Sequence, residues 1–339
     1  MSSTNAESAI LLVGGFGTRL QPLTFNTPKP MLKVAGIPFT EHQIIKAREA
    51  GIKEIVLATS YLAQIFEPHF GNGKKFGISI SYAVEEVALG TGGAIRNAAK
   101  ALTGSGPVVI FNGDVLSSHD LRAHIAKHVE SNADVSLYLT EVPDARAFGA
   151  VELDGDLIET FNEKMENPPT NIINAGCYIF NREIINSIPA GRVVSVERET
   201  FPGLLAAGSK LIGYVDRSYW LDIGTPTALL KATHDLITGS AQSDAFDLLL
   251  ATGEFRIVDG SLISTCASIH PSAQVTAGSF IDHDVEVGMD AKIVTSVIGA
   301  EARVDARAEL HRSFLAPKSQ IPAGFYAEGS FFGFSSEHE

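Results

Sequence analysis

The 339-residue sequence predicts an α/β domain with a mostly parallel sheet, followed by a parallel β-helix. Two observations predict this combination. Up to about residue 240, short apolar runs alternate with segments of helical spacing, as in a sheet flanked by helices. Later, apolar residues recur at every sixth position, which fits neither a helix nor an ordinary strand. We therefore expect domains at 1–240 and 257–325, with a junction at 241–256 and a tail at 326–339.

The α/β part is predicted from strands and helices that alternate along the chain. Strands are expected at 9–13, 54–60, 108–114, 134–142 and 174–180. A helix is expected at 41–51, where apolar residues have helical spacing and Gly51 is a common helix stop. Ser117 or Ser118 is expected to cap another helix. That helix would bury one face, formed by Leu121, Ile125 and Val129.

The β-helix is predicted from the six-residue repeat. The repeat runs through Ile257, Ile263, Ile269, Val275, Ile281, Val287 and Ile293, resumes one position early at Ile298, Val304 and Leu310, and shifts again to Leu315 and Ile321. In a hexapeptide β-helix, each such side chain points into a narrow prism. The alternative is a set of unrelated short strands, which so many in-phase branched residues disfavour. About three and a half coils of 18 residues fit this region.

The composition excludes some classes of partner. A formal net charge of −13 disfavours nucleic-acid binding, so an anionic ligand would need a local basic pocket. The two cysteines, Cys177 and Cys266, indicate a reducing compartment without a disulfide framework. The start "MSSTNAES" lacks a signal pattern, and no apolar run approaches the roughly 20 residues of a membrane span. We expect a cytoplasmic protein that does not enter a membrane.

A glycine-rich segment, "GGFGTRLQPLTFNTPKPML", follows the first strand. It is neither a dinucleotide fingerprint nor a P-loop. Nevertheless, Gly14, Gly15 and Gly17 would let backbone N–H groups approach a phosphate closely. Arg19 and Lys29 add cations, and prolines stiffen the segment around Lys29. Taken alone, the glycines would equally fit a turn beside solvated cations.

Two aspartates follow predicted strands. "FNGD" ends a strand at Asp114, and "WLDIGTP" places Asp222 just before a helix capped by Thr225, with Pro226 in its first turn. Ligands bind at the carboxyl ends of parallel strands, and carboxylates suit Mg²⁺ held by few protein ligands. Each aspartate considered separately is more often a turn residue or a helix cap.

Other catalytic or metal-binding patterns fail on inspection. His124 and His128 have i, i+4 spacing but no glutamate between them, so we expect a solvated helix face rather than a zinc site. No G-x-S-x-G motif is present, and neither cysteine has a C-x-x-C partner.

The glycine-rich segment resembles the signature of the sugar-1-phosphate nucleotidyltransferases. The resemblance spans residues 9–237 and continues through "EEVALGTGGAI", "FNGDVL", "AFGAVELD", "FNEKMENPP", "INAGCYIF", "SVERETFP" and "YWLDIGTP". It implies a Rossmann-like mixed sheet. Within the family, the sequence most resembles members that carry an appended left-handed β-helix. These members convert GTP and mannose 1-phosphate to GDP-mannose and pyrophosphate.

The resemblance also implies roles for individual residues. Mg²⁺ would bind to Asp114 and Asp222. The catalytic residues would be Arg19, Lys29, Asp114, Lys164 and Asp222. The nucleotide-binding residues would be Leu12, Gly14, Gly15, Gly17, Thr18, Glu85, Glu86, Leu89, Gly90 and Thr91. The sugar phosphate would be bound by Gly149, Glu163, Lys164 and Asn174.

This chemistry needs no general base, because a sugar 1-phosphate is already an anion. Positioning and charge neutralisation are what the reaction requires. Arg19 and the glycines would hold the leaving phosphates, and Lys29 the α-phosphate. Lys164 would align the attacking phosphate.

The resemblance also implies that the nucleobase is bound at "EEVALGTGGA". Guanine offers two adjacent donors, which a single carboxylate can accept together. Glu85 or Glu86 would therefore favour GTP over thymine or uracil nucleotides. The alternative is recognition by the backbone near Leu89 and Gly90.

Other functions stay open at this point. The same chemistry could use other substrates, as in glucose-1-phosphate thymidylyl- or uridylyltransferases or a heptose-phosphate guanylyltransferase. The β-helix could be an acyltransferase, although it is short for a coenzyme A groove. A non-catalytic nucleotide-sugar-binding subunit would be expected to lack charged residues that this chain retains. We expect a homo-oligomer formed through the β-helix. Phe331, Phe332 and Phe334 would cover an exposed end of the β-helix or pack on the catalytic domain; the alternative is a flexible tail with incidental aromatic residues.

Overall fold

The computed structural model describes residues 6–15, 17–59, 63–85 and 87–334. No helix in these ranges is long and apolar enough to cross a membrane. The α/β domain predicted for the first part of the chain is present, and its mixed sheet is flanked by helices.

Contacts divide the chain into two compact units, and each unit is discontinuous in sequence. The first unit combines Met1–Gly15 with Gln43–Trp220, and the second combines Phe16–His42 with Leu221–Glu339. The glycine-rich segment after Gly15 therefore packs within the unit that contains the carboxy-terminal strands. The predicted domain boundaries at 240 and 257 remain predictions.

The helices and strands are numbered in chain order. The helices are α1 (Phe39–Glu49), α2 (Ala63–Phe70), α3 (Gly90–Ala98), α4 (Leu121–Ser131), α5 (Arg182–Ser187), α6 (Phe201–Ala206), α7 (Pro226–Ile237) and α8 (Asp244–Thr252). The strands up to residue 222 are β1 (Ser8–Leu12), β2 (Lys33–Val34), β3 (Ile37–Pro38), β4 (Glu54–Thr59), β5 (Ser79–Val84), β6 (Val108–Asn112), β7 (Val115–Ser117), β8 (Val135–Glu141), β9 (Gly149–Asp154), β10 (Leu157–Glu163), β11 (Ile172–Phe180), β12 (Leu211–Val215) and β13 (Trp220–Asp222). The later strands are β14 (Phe255–Val258), β15 (Ser261–Ser264), β16 (Ser268–Ile269), β17 (Gln274–Thr276), β18 (Phe280–Ile281), β19 (Glu286–Val287), β20 (Lys292–Val294), β21 (Val297–Ile298), β22 (Arg303–Val304), β23 (Glu309–His311), β24 (Phe314–Leu315), β25 (Gln320–Ile321), β26 (Tyr326–Glu328) and β27 (Phe331–Phe332).

A nine-stranded sheet forms the centre of the first unit, in the order β5-β4-β1-β6-β11-β8-β12-β10-β9. The strands β5, β4, β1 and β6 are parallel, whereas β11 runs antiparallel to β6. The predicted mixed sheet is thus confirmed. Ile10, Val56 and Ile110 are at most 1% exposed, because strands covered on both faces bury consecutive apolar residues. Leu12 pairs with Asn112, so the carboxyl ends of β1 and β6 lie side by side.

The start of α4 differs from the prediction. Its N-cap is Asp120, whose side chain accepts a hydrogen bond from the Ala123 N–H at 3.0 Å, so the proposed serine caps were wrong. Ser117 ends β7 instead, and its hydroxyl bonds to a histidine ring. The expected apolar face is present, since Leu121 and Ile125 are buried.

Parallel strands of the second unit form three sheets that the chain visits in turn, as in a β-helix. Leu262 pairs with Phe280, 18 positions later, but Phe280 pairs with Val297, 17 positions later. Subsequent coils keep the shorter length. The one-residue shifts in the repeat therefore record coils of 17 residues. Inward side chains such as Ile298 are fully buried.

The two ends of the repeat differ from the prediction. Ile257 was predicted to lie in the core, but it is 43% exposed, because β14 is antiparallel to β15 and precedes the parallel coils. At the other end, β26 and β27 extend the parallel sheets beyond residue 325. Phe332 packs against the core of the coils, and Phe331 stacks on Phe314 with ring centroids 5.6 Å apart. The aromatic residues therefore belong to the last coil.

Candidate functional site

The turn after β6 carries the first predicted metal ligand. The Gly113 N–H donates to the Leu12 carbonyl at 3.0 Å, and a Cβ at residue 113 would lie only 2.3 Å from that oxygen. Only glycine permits this approach. It brings the half-buried Asp114 to the carboxyl ends of β1 and β6, beside the exposed Gly14 and Gly15 that follow β1. Carboxyl ends of parallel strands are where ligands bind in α/β sheets.

The predicted sugar-phosphate residues Gly149, Glu163 and Lys164 lie together. Gly149 and Glu163 are paired residues of β9 and β10, and a Cβ on Gly149 would lie 3.0 Å from Oε2 of Glu163. Lys164 has a φ of 53° and its N–H donates to the Phe148 carbonyl. Its ammonium lies 3.5 Å from Oε1 of Glu163 and is largely exposed. An exposed cation beside a carboxylate suits a phosphate next to sugar hydroxyls.

Asn174, on β11, is held by a residue that the sequence analysis missed. Its side-chain amide donates to the Tyr178 hydroxyl at 2.9 Å, and the Asn112 amide donates to the same oxygen at 3.3 Å. Tyr178 is fully buried, and burial raises the pKa of its phenol. It therefore connects β6, which precedes Asp114, to the strand that carries Asn174. In sequence, Tyr178 is indistinguishable from a core aromatic residue.

The predicted base-binding residues Glu85, Leu89 and Gly90 also lie together. The Leu89 N–H donates to Oε2 of Glu85 at 3.3 Å, whereas Oε1 of Glu85 is buried without a hydrogen-bond partner among the described residues. Burial raises the pKa of the Glu85 carboxyl. Gly90 has a φ of 71°, and a Cβ there would lie 2.6 Å from the Val194 carbonyl oxygen. Glu86 lies outside the described residues.

A second missed residue, Glu197, fixes the start of α3. Its Oε2 accepts hydrogen bonds from the hydroxyls of Thr91 and Ser195, both at 2.9 Å. The Thr91 hydroxyl in turn accepts the Val196 N–H at 2.9 Å. The hydroxyl of Thr91, predicted to bind nucleotide, is therefore engaged within the protein. The segment "SVERETFP" contributes to the site by holding this loop.

In the second unit, Gly17 brings Lys29 next to the glycine-rich loop. Gly17 has a φ of 60°, and its carbonyl accepts the Thr24 hydroxyl at 2.9 Å. A Cβ at residue 17 would lie 3.0 Å from the Cβ of Lys29. Thr18 is exposed and Lys29 is half-buried. The loop and its lysine thus form one compact piece.

Arg19 lies against the segment that carries Asp222. Its guanidinium nitrogens would be 3.1–3.2 Å from a Cβ at Gly224, so a side chain there would make a tight contact with Arg19. Thr225 caps α7 as predicted, accepting the Ala228 N–H at 3.2 Å, with Pro226 in the first turn. Within this unit, the structure therefore brings Arg19 close to the "LDIGTP" motif.

The glycine-rich segment is anchored to the coils of its own unit. The Lys33 ammonium lies 2.8 Å from Oδ2 of Asp282, whose side chain is 4% exposed. Gly36 faces the Phe280 ring, and a Cβ there would lie 3.1 Å from it. Both contacts follow Arg19 and Lys29 closely in the chain, so the coils stabilise the segment that carries the predicted phosphate-binding cations.

The histidines of α4 are not on a solvated face, so that expectation was wrong. His124 is fully buried and His128 is 2% exposed. The Ser136 hydroxyl bonds to Nε2 of His124 at 3.0 Å and to Nδ1 of His128 at 3.1 Å. The Ser136 hydroxyl thus bonds one ring nitrogen of each histidine inside the protein, and the helical spacing did not reveal this burial.

A family model described as nucleotidyl transferase matches residues 8–239. The chain belongs to this family. Among curated relatives, the chain is 45% identical over 312 residues to a mannose-1-phosphate guanylyltransferase of Mycobacterium tuberculosis, covering 91% of this chain and 84% of that protein. It is 34% identical over 274 residues to a mannose-1-phosphate guanyltransferase of Pichia angusta, covering 79% and 73% of the two chains.

Solved structures of similar fold cover 66–67% of this chain. One is a putative glucose-1-phosphate thymidylyltransferase from Bacillus anthracis in complex with a sucrose, with a TM-score of 0.61 and 25% identity, covering 66% of this chain and 93% of that chain. Another is HddC from Yersinia pseudotuberculosis complexed with GMP-PN, with a TM-score of 0.58 and 29% identity, covering 67% and 97%. Similarity at this level agrees with the α/β fold described above.

Proposed function

We propose that the protein is a mannose-1-phosphate guanylyltransferase, which converts GTP and α-D-mannose 1-phosphate to GDP-mannose and pyrophosphate. The observation that carries the proposal is the 45% identity to the mycobacterial enzyme over 91% of this chain. The chain also retains the charged residues that the chemistry requires: Arg19, Lys29, Asp114, Lys164 and Asp222.

In the proposed mechanism, protein cations position and neutralise two phosphate groups. Arg19 and the N–H groups of the glycine-rich loop bind the β- and γ-phosphates, and Lys29 binds the α-phosphate. Lys164 aligns the sugar phosphate for in-line attack on the α-phosphorus, while Glu163 and Asn174 bind sugar hydroxyls. Catalysis is then positioning and charge stabilisation, without proton abstraction.

Asp114 and Asp222 are proposed to bind Mg²⁺. A carboxylate beside the Gly113 turn at the end of β6 fits the donor set that this ion prefers. The ion would neutralise phosphate charge during transfer.

Three further features complete the proposal. The β-helix is left-handed, the protein forms a dimer or tetramer through it, and the protein is cytoplasmic. The six-residue repeat and the short coils of 17 or 18 residues support the first feature, as in hexapeptide β-helices. The last strands of the three sheets have no partner on their outer side among the described residues, which supports the second. Scarce cysteine supports the third.

The test is pyrophosphate release from GTP, ATP, UTP and dTTP with mannose 1-phosphate, glucose 1-phosphate and a heptose 1-phosphate, in the presence of Mg²⁺. We expect the highest kcat/KM for GTP with mannose 1-phosphate and GDP-mannose as the product. Higher kcat/KM with another pair would reassign the substrates. Binding of GDP-mannose without turnover of any pair would instead indicate a non-catalytic subunit.

A further inference from the structure

A cluster of His119, His124 and Cys177 lies in the first unit, outside the predicted phosphate and sugar residues. The three side chains are at most 3% exposed. One possible ligand atom from each lies within 4.8 Å of those of the other two. The cluster joins the segment after β7, helix α4 and strand β11.

Each histidine of the cluster has one bonded and one unbonded ring nitrogen. The Ser117 hydroxyl lies 2.9 Å from Nδ1 of His119, and the Ser136 hydroxyl lies 3.0 Å from Nε2 of His124. The other nitrogens, Nε2 of His119 and Nδ1 of His124, are buried without a hydrogen-bond partner among the described residues. Leaving a buried polar atom unsatisfied destabilises the folded state. This half-bonded arrangement is typical of metal-ligating histidines, whose second nitrogen is held by an outer partner.

The rings are also held in fixed planes. His119 stacks on Tyr138 with ring centroids 4.0 Å apart, and His124 stacks on Tyr214 at 5.0 Å. The Cys177 thiol offers one hydrogen and is a weak donor, so it can complete at most one of the two unbonded nitrogens. The side chains in the described part of the chain therefore leave at least one of these nitrogens without a partner.

We propose that His119, His124 and Cys177 bind one Zn²⁺ ion. Two imidazoles and a thiolate are ligands that zinc prefers. A cation centred among three atoms within 4.8 Å of one another lies about 2.8 Å or less from each, and shifts of roughly half an ångström give normal zinc–ligand distances of ~2.0–2.3 Å. A small ligand such as water would complete a tetrahedron.

The charges around the cluster are compatible with a bound cation. Burial lowers the pKa of His124 to about 3, with His128 adding to this effect, so its imidazole is neutral and can donate to a metal. Burial raises the pKa of Cys177 to about 12, and the ammonium of Lys46 opposes this rise by favouring the thiolate. The ammonium of Lys46 disfavours a cation here, whereas the carboxylate of Asp216 acts on His124 in the opposite direction. Zinc binding would release the thiol proton.

The proposed ion would stabilise the segments of backbone that carry or adjoin Asp114 and Asn174. His119 follows Asp114 across β7, and Cys177 shares β11 with Asn174. An ion at the cluster would fix these segments to each other and to α4. Its role would be structural, and it is separate from the Mg²⁺ proposed for catalysis.

The test measures metal in the full-length protein. The protein is produced in zinc-supplemented medium and purified by gel filtration. Inductively coupled plasma mass spectrometry should then find about one zinc per chain. Protein from zinc-depleted medium, loaded with Co²⁺, should show a near-ultraviolet thiolate-to-cobalt absorption band. The zinc-loaded protein should also have the higher Tm. None of these readouts depends on nucleotidyl transfer.

Matched variants separate the cluster from its surroundings. Cys177→Ala and His124→Ala should lose the zinc, whereas Cys266→Ala and His128→Gln should retain it. Cys266 is the other, exposed cysteine, and His128 is a buried histidine of the same helix with both ring nitrogens bonded. Folded wild-type protein without zinc above the buffer background, or with copper in its place, would overturn the proposal. The metal content and the cobalt spectrum of the wild-type protein test the proposal even if a variant does not fold.

Discussion

The nine-stranded sheet and the three-sided coil bury their strands in different ways. Strands such as β8 and β11 are covered on both faces, so nearly every residue in them is buried. Strands of the coil are two to four residues long, and each contributes about one inward side chain, as Ile298 does in β21. The coil therefore repeats the same packing of one inward side chain per strand, whereas the strands of the sheet pack in different ways.

Because of this difference, we expect the coil to contribute mainly to stability and the strand ends of the sheet to contribute to catalysis. In the coil, one inward side chain stacks on an equivalent side chain of the next coil, so its residues have equivalent roles. In the sheet, the proposed catalysis depends on individual residues at strand ends, such as Gly113, Asp114 and Lys164. None of these residues has a repeated equivalent in the sheet. Single substitutions should accordingly affect turnover at the strand ends and stability in the coil.

The largest effect is expected at the proposed metal ligands. Asp114→Asn and Asp222→Asn should each lower turnover about 10²-fold or more, because each removes one charge that stabilises the transferring phosphates. Circular dichroism and Tm should stay close to wild type. Asp154→Asn, at the exposed end of β9, is the matched control and should retain activity. Full Mg²⁺-dependent activity in both variants would contradict the assignment.

A core substitution in the coil should affect stability instead. Ile298→Ala should lower the free energy of unfolding by about 2–5 kcal/mol, since a fully buried side chain leaves a cavity. Ile257→Ala, where the side chain is 43% exposed, should cost less than ~1 kcal/mol. Chemical denaturation of both variants checks this contrast, and equal losses would argue against our assignment of the inward positions.

A smaller effect is expected on nucleotide choice. Glu85→Gln should reduce the preference of kcat/KM for GTP over dTTP by about 1–3 kcal/mol, because the amide cannot accept both guanine donors. Burial raises the pKa of Glu85, so the carboxylate and the wild-type preference should be lost as pH falls through that pKa. Glu86→Gln is the companion variant. If both variants keep the wild-type GTP:dTTP ratio, the backbone reads the base.

The smallest effect is expected at the end of the coil. Deleting residues 330–339 removes β27, the packing of Phe332 and the hydrogen bond from the Ser330 N–H to the Ser313 hydroxyl. Loss of a partly buried aromatic residue should cost about 1–2 kcal/mol and lower the Tm by a few degrees. Light scattering would show whether the oligomer changes as well. An unchanged Tm would mean that the last coil contributes nothing to stability.

The predictions from sequence succeeded where a pattern was local or long. The six-residue repeat identified the coils, and the glycine-rich motif identified the family. The Thr225 cap with Pro226 was also predicted correctly, because it depends only on neighbouring residues. The repeat failed at Ile257, because periodicity does not report that a strand has turned antiparallel.

The sequence by itself determined the chemistry that is available: the coil repeat, the strand-end aspartates and the cations of the glycine-rich segment. Only the tertiary structure decided which distant residues meet. It joined Tyr178 to Asn112 and Asn174, placed Cys177 beside two histidines, and assigned the part of the glycine-rich segment after Gly15 to the unit of the coils. The physical reason is that such contacts depend on strand order and side-chain packing between segments far apart in the chain, which no local pattern encodes.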